Sequence, residues 1–342
     1  ALDRIGCALY DQRDDLLRTF VNSTRCGTPM EAYEWRLAES PSLSRLAGSG
    51  GTRVIDDIPA VITGDSPHSR WLLEQGYRSS FTVPLLHRGG LIGFLFFDSQ
   101  RPAAFTATVQ RSLELFAALI NLTISQELDL VRSITTSAEV AREFANLRDT
   151  ETGGHLERMA HYARLIGREL QASHGLSDEF VENLYLFAPL HDIGKIGIPD
   201  EVLLKPGQLD ADERQQMESH VRMGMEVLEK LIGDFDLEQR GEVAMMRNVV
   251  ADHHECLDGS GYPRGLTGEA ISLEARIITV ADVLDALTSH RPYKTPWSLD
   301  AALGELERLV SLGKLDADCV AAVGRRRREV AVIRDRFRDT EA

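Results

Sequence analysis

Cysteine is scarce and scattered. Cys7, Cys26, Cys256 and Cys319 include no CxxC pair, which argues against a disulfide framework or a thiolate zinc site and leaves reduced, buried thiols as the plain reading. Long apolar runs are missing too. The longest, Leu91 to Phe97, has seven residues and contains Gly93, against about 20 needed to span a bilayer, so no membrane segment is expected. Positive charge is short: 38 Lys and Arg against 53 Asp and Glu leave a net charge of −15. Wrapping long nucleic acid needs clustered cations, so DNA is not an expected partner. A small anionic substrate stays compatible with a few cations placed locally. No charged-then-apolar export signal opens the chain, which makes the cytoplasm the expected location. What preceded Ala1 is open.

What is present fits two folded domains: 342 residues, 43% apolar and 27% charged, an ordinary balance for a globular protein. Two β-rich runs, Ile5 to Tyr10 and Leu16 to Val21, flank the polar turn Asp11 to Asp15 and predict a hairpin. A second hairpin is predicted from Ser80 to Leu86, the turn His87-Arg-Gly-Gly90, and Leu91 to Phe97. Its strands are almost continuously apolar, so both faces must be covered. Helical segments near Ser69 to Gln75 and after Phe105 supply that cover. Val83-Pro-Leu85, Leu91-Ile-Gly-Phe-Leu95 and Phe105-Thr106 before a helix resemble the second half of a GAF sensory domain, over residues 1–125. These are scaffold features and name no ligand. His68, His87 and Cys26 are read as ordinary core or surface residues rather than ligands to a haem or metal.

From Thr106 to Leu147 there is neither proline nor glycine, and Val109, Leu113, Phe116, Ile120, Ile124, Leu128, Val131, Ile134, Ala138 and Ala141 recur at helical steps. The spacing predicts a linker helix over 106–147, about 60 Å long at about 1.5 Å per residue. Its stripe needs a partner. From Ile124 onward it fits a short parallel coiled coil, giving a homodimer through the linker helix and the GAF-like domain; the alternative is a helix lying against its own domains.

Beyond Arg148 the pattern is helical and carries metal-ligand residue types: Glu151, His155, His191, Asp192, His220, His253, His254 and Asp282. Neutral imidazole with carboxylate and no thiolate suits Fe or Mn better than a structural zinc site. Glu151 and His155 are four apart, on one side of a helix or at a helix start beside Gly153-Gly154. Adjacent His191 and Asp192 splay by about 100° on a helix, which lets a carboxylate bridge two ions while the imidazole binds one. Asp210 to Glu213 reads as a capping box, and His220 lies beside the apolar face of the helix it opens. Asp282 and Asp285 share one face of the apolar helix Ile277 to Leu287. Two buried acids there need a metal or a cation; Asp282 is the candidate ligand, and Asp285 orients a neighbour or holds substrate.

The segments Arg148-Asp-Thr-Glu-Thr-Gly-Gly-His155, Leu190-His-Asp-Ile-Gly-Lys-Ile-Gly-Ile-Pro199, Leu204-Lys-Pro-Gly207, His253-His-Glu255, Asp258-Gly-Ser-Gly-Tyr-Pro263 and Arg291-Pro-Tyr-Lys294 resemble the HD-GYP branch of the HD metal-dependent phosphohydrolases. The resemblance covers residues 148 to about 315. It implies a phosphodiesterase that hydrolyses cyclic di-GMP to linear pGpG and onward to GMP, using two or three divalent ions, Glu151 being the acid that would allow a third. It also implies catalytic roles for Asp192 and Lys195, and substrate contacts from Tyr262, Asp285, Arg291 and Lys294. The chemistry agrees: phosphodiester hydrolysis needs hydroxide at neutral pH and positive charge around the phosphoryl oxygens, which a bridged pair of ions supplies. Where the family carries Phe-Asp-Pro, this chain has Leu315-Asp316-Ala317, a change expected to touch packing alone.

The expected architecture is therefore multidomain: an α/β GAF-like domain on an antiparallel sheet (1–125), the linker helix (106–147) and an all-α HD-domain bundle (148–342). Two rivals remain. One is cleavage of another cyclic dinucleotide such as cyclic GMP-AMP, which the metal ligands do not separate. The other is a receptor that binds cyclic di-GMP without hydrolysis, against which the complete set of Glu151, Asp192 and Lys195 argues.

Overall fold

A computed structural model describes residues 2–64, 66–146, 153–234, 238, 241–289 and 295–338. The chain divides into two compact units, Ala1–Leu130 and Val131–Ala342. In the first, β1 (Arg4–Asp11) and β2 (Leu16–Thr24) form the expected hairpin, followed by β3 (Glu34–Arg36), α1 (Pro41–Ser49), β4 (Arg53–Ile55), α2 (Ile58–Val61) and α3 (Pro67–Glu74). The second hairpin, β5 (Ser79–His87) and β6 (Gly90–Ser99), leads into α4 (Ala107–Asn146). The strands make one antiparallel sheet in the order β3-β2-β1-β6-β5-β4.

The apolar hairpin explains itself. Phe81, Leu85, Leu95, Phe97 and Cys7 pack with Phe105, Ala117 and Ile124, while Phe94 and Phe96 pack with Ala8, Leu17, Leu37 and Leu46 in a second cluster. Each fully buried Phe or Leu contributes about 1.5–3 kcal/mol, so the central hairpin anchors the unit. On α4 the inward residues are Leu113, Ala117, Ile120, Ile124 and Leu128. Ile124 and Leu128, read from sequence as the start of a coiled-coil seam, instead cover their own sheet; the side chains from Val131 to Asn146 lie outside the described residues. Phe116 is 56% exposed, beside exposed Leu115, Leu119 and Leu122.

The second unit is helical: α5 (Gly153–His174), α6 (Asp178–Phe187), α7 (Asp200–Leu203), α8 (Ala211–Glu218), α9 (His220–Asp234), α10 (Val243–Asp252), α11 (Leu273–Thr288), α12 (Leu299–Ser311), α13 (Ala317–Arg325) and α14 (Arg327–Arg336). Starts are set by side-chain caps: Ser177 on α6, the Asp210–Glu213 capping box on α8, Ser272 on α11 and Asp316 on α13. Asp316 also pairs with Arg276 at 2.7 Å, so the Leu-Asp-Ala departure keeps a structural acid. Helix α11 is buried nearly all round, with Ile277, Ile278, Val280, Ala281 and Leu284 inaccessible, and it packs against α5, whose Met159, Tyr162 and Ile166 are fully buried. Among the described residues no helix is long and apolar enough to cross a membrane.

Candidate metal centre

The site is built where helices break. Between α6 and α7 the chain makes two single 3-10 turns, Ala188–Leu190 and Ile193–Gly197, with His191 and Asp192 between them. The expected helical splay does not apply. The backbone break turns both side chains into one space, with His191 Nε2 3.1 Å from Asp192 Oδ2. The second turn is pressed onto α9: a Cβ on Gly194 would lie 1.9 Å from the His220 carbonyl oxygen and 2.3 Å from the Gly224 nitrogen. Only glycine permits that approach, and it brings Asp192 Oδ1 to 3.3 Å from His220 Nε2. The end of α10 adds His253, whose Nε2 is 3.4 Å from that of His220 and 3.7 Å from Asp192 Oδ1.

The imidazoles are oriented from behind. His191 Nδ1 donates to the Ala188 carbonyl at 2.7 Å, His220 Nδ1 to Met217 at 2.7 Å, and His253 Nδ1 to Val249 and Val250 at 3.1 Å each. A carbonyl only accepts, so each Nδ1 carries a proton and each Nε2 faces forward. His155, on α5, bonds Asp285 through Nδ1 at 2.8 Å. Its Nε2, the Nε2 of His191 and Asp192 Oδ1 are buried without a hydrogen-bond partner. Such atoms cost about 1–3 kcal/mol each unless something binds them.

These donors form two groups whose ligand atoms lie within 4.8 Å of one another: His155, His191 and Asp192, and Asp192, His220, His253 and His254. Ligands about 2.1 Å from an ion stand roughly 3.0–3.4 Å apart at adjacent corners, and the Nε2 atoms of His191 and His220 stand 3.1 and 3.3 Å from the Asp192 oxygens. The residues therefore fit divalent metal. Asp192 belongs to both groups.

Electrostatics keep the lone pairs of His220 and His254 available. Burial lowers His220 to about 4, and burial with the neighbouring His253 holds His254 well below its usual range. Burial also opposes charge on His191, but Asp192 outweighs it and lifts the ring to about 9. Burial alone would raise Asp192; Lys195, whose Nζ is 2.7 Å from Oδ2, and His191 hold it well below the carboxylate range instead.

Asp282 is half-buried on α11 and belongs to neither group; its charge is felt by His191 and Tyr262, which places it at the margin of the site. Asp285 as a substrate contact is corrected. It is 1% exposed, and both oxygens are occupied, by His155 and by Arg158 Nε at 2.5 Å and Nη2 at 3.1 Å. It orients His155. Tyr262 stacks on His254 at 4.7 Å between ring centroids, and burial raises its phenol pKa. Gly259 has φ +79, and a Cβ on Gly261 would meet the backbone of residues 254–256 at 2.3–2.6 Å, so the loop closes over the histidine pair. Glu151, Arg291 and Lys294 lie outside the described residues.

Sequence reasoning missed three supports. Arg158 sits one turn after His155 on the same face of α5, a spacing that was legible, and it also donates to the Phe337 carbonyl at 2.6 Å. Gly194 lies within the Leu190–Pro199 motif, where the sequence alone shows no reason for a glycine. Glu255 accepts from the backbone nitrogens of Arg264 and Leu266 at 2.7 and 2.8 Å and ties down the Tyr262 loop.

Comparisons with known proteins give the family. The HD domain family model matches residues 139–319 and the GAF domain model residues 1–124. The chain belongs to the HD domain family and carries a GAF domain ahead of it. It is 37% identical over 92% of its length to the cyclic di-GMP phosphodiesterase response regulator RpfG of Xanthomonas campestris pv. campestris, covering 83% of that protein. It is 39% identical to a cyclic di-GMP phosphodiesterase of Thermotoga maritima, over 59% of this chain and 52% of that one. It is also 37% identical to the 3'3'-cGAMP-specific phosphodiesterase 2 of Vibrio cholerae, over 58% of this chain and 36% of that one.

Proposed function

We propose that the chain is a metal-dependent phosphodiesterase that hydrolyses cyclic di-GMP to linear pGpG and onward to GMP, under control of its GAF domain. The observation that carries the reading is the membership of Asp192 in both ligand groups, the arrangement a two-ion hydrolase requires. His155 and His191 would hold one ion and His220, His253 and His254 the other, with Asp192 shared; Asp282 and Glu151 are proposed as further ligands, Glu151 for a third ion, and Fe or Mn as the metal. When bound, the ions supply a water of lowered pKa and positive charge around the phosphoryl oxygens. Asp192 fixes the spacing of the two groups, one oxygen toward each. Lys195 places a cation at the edge of the cluster, where it offsets charge on the phosphate and the departing 3′ oxygen. Tyr262 walls the cleft over His254, and Arg291 and Lys294 are assigned to the phosphates.

Cyclic GMP-AMP is the second reading, favoured by relatives named for it at 37–40% identity. A homodimer through α4 and the GAF domain is supported by the exposed Leu115, Phe116, Leu119 and Leu122, on the face turned away from the sheet. Four unpaired cysteines support a reducing, cytoplasmic setting. The test is to purify the protein with Mn, or with Fe anaerobically, and follow several cyclic dinucleotides by chromatography, with His191→Ala/Asp192→Ala as control. Cleavage lost in the double variant supports the enzyme. Tight binding without cleavage replaces it with a receptor.

A further inference from the structure

The N-terminal unit encloses a cavity of about 450 Å³, within the size range of small-molecule sites. Most of its wall is apolar or aromatic, with Tyr33, Trp35, His68, Leu72 and Phe96 among the lining residues. Two cations interrupt that wall, Arg4 and Arg53. Arg4 is 3% exposed and has its counter-ion, Asp98, at 2.5 Å. Arg53 has none. Its Nη1 donates to Ser42 Oγ at 2.9 Å and its Nη2 to Thr82 Oγ1 at 3.0 Å, both neutral, and among the described residues no carboxylate is ion-paired with it. The Nε–H groups of both arginines are buried with no acceptor.

A guanidinium turned into an enclosed cavity without a counter-ion costs stability unless an anion enters. The cavity carries one uncompensated positive charge, because His68 stays neutral: burial and the two arginines hold it at about 3. His68 therefore offers a ring face instead, 5.8 Å from both Tyr33 and Phe96 between centroids. We infer that this cavity binds a small aromatic carboxylate, its acid group received by the free donors of Arg53 beside Arg4 and its ring held among Tyr33, His68 and Phe96. One net charge matches a monoanion. A phosphate monoester carries a second charge that Arg4, already spent on Asp98, leaves unbalanced. The ligand would reach the sheet that α4 covers, so occupancy bears on the element that leaves the domain.

The full chain is titrated with benzoate and indole-3-carboxylate, with benzamide, indole-3-carboxamide and GMP as comparators, read by calorimetry and by the fluorescence of Trp35 and Trp71. The expected result is saturable binding of an acid at one site per chain, on the order of tenfold tighter than its amide, since a charge-assisted fork is lost in the amide. Arg53→Gln should weaken acid binding by at least about tenfold and leave basal hydrolysis of cyclic dinucleotides unchanged. Arg53→Lys, which keeps the charge but not the fork, should fall between, and serves if the glutamine variant does not fold. No saturable binding of either acid into the millimolar range, equal affinity for acid and amide, tighter binding of GMP, or an unchanged affinity in the Arg53 variants each overturns the assignment.

Discussion

Replacing Gly194 by alanine tests whether the metal centre depends on one backbone contact. The added Cβ would sit 1.9 Å from the His220 carbonyl oxygen and 2.3 Å from the Gly224 nitrogen, where ordinary contact begins at about 3.4 Å. The 3-10 turn and α9 must part by roughly 1.5 Å to relieve the overlap, because neither contacting atom belongs to a flexible side chain. Overpacking of this kind costs about 1–3 kcal/mol, which for a unit of this size lowers its Tm by roughly 2–12 °C without abolishing the fold. The larger effect falls on the metal. Asp192 is two residues before Gly194 and His220 begins α9, so their 3.3 Å separation opens by a comparable amount, beyond what one ion spans. Metal affinity in the His220 group should fall about 10–100-fold, as for other losses of ligand support. The assay is metal titration with a competing chelator, beside stoichiometry by elemental analysis and a thermal melt. Full stoichiometry with unchanged affinity in a folded Gly194→Ala protein would refute the reasoning, since Asp192 and His220 would then be held together by something other than this contact.

Four further outcomes follow from the same geometry. Asp192→Ala should strip metal from both ligand groups, whereas His155→Ala should spare the group of His220, His253 and His254; elemental analysis of the two variants distinguishes a shared carboxylate from independent sites. Asp285→Ala takes from buried Arg158 and His155 the carboxylate that both bond, at a cost of about 1–3 kcal/mol in denaturant unfolding of the second unit; a loss below about 1 kcal/mol would mean that water replaces the carboxylate. Chelation should lower the Tm of the HD unit in proportion to the logarithm of free metal and leave the GAF unit's transition in place. His68 has a folded pKa of about 3 against 6.5 unfolded, burial being the main cause, so the unfolded chain takes up the extra proton and GAF stability falls as pH drops below 6.5. Between about pH 7.5 and 5.5 the loss should be about 1 kcal/mol, measured as the difference from His68→Gln; identical pH dependence in the two proteins counts against the assignment.

What the sequence displayed was local. The second hairpin was readable because Gly89-Gly90 interrupts two apolar runs, and the linker helix because no glycine or proline breaks its stripe. Strands β3 and β4 left no signal, each being three residues long and held by pairing at the sheet's edges rather than by a periodic pattern. The ligand types were visible as residues, and their grouping was not. His220 alone resembles a core histidine, and it is one by burial, at 1% exposure; only its Nδ1 bond to Met217 and the approach of Asp192 reveal which way its lone pair points. In sequence Asp285 stands between two roles because Arg158, which decides it, lies 127 residues away. Which face of α4 turned outward was equally hidden, since Phe116 and Ile120 read alike until the sheet selects one of them.

The break at His191 and Asp192 carries more of the function than either residue type does. On an unbroken helix two adjacent side chains diverge by about 100° and face different neighbours. Here the capping conformation at Asp192, φ −102 and ψ 15, brings its carboxylate back beside the ring it follows. One oxygen meets His191 and Lys195, the other His220 and His253. A carboxylate is the ligand that serves this place, because two equivalent oxygens on one carbon reach two groups at once, whereas an imidazole offers a single free nitrogen once Nδ1 is bonded. Asp192→Asn keeps the shape but turns one of those oxygens into an NH2 donor that repels a cation, so it should retain one group and lose the other. Asp192→Glu keeps both oxygens and moves them about 1.5 Å outward on an extra methylene, toward His220 Nε2, which already stands 3.3 Å from Oδ1.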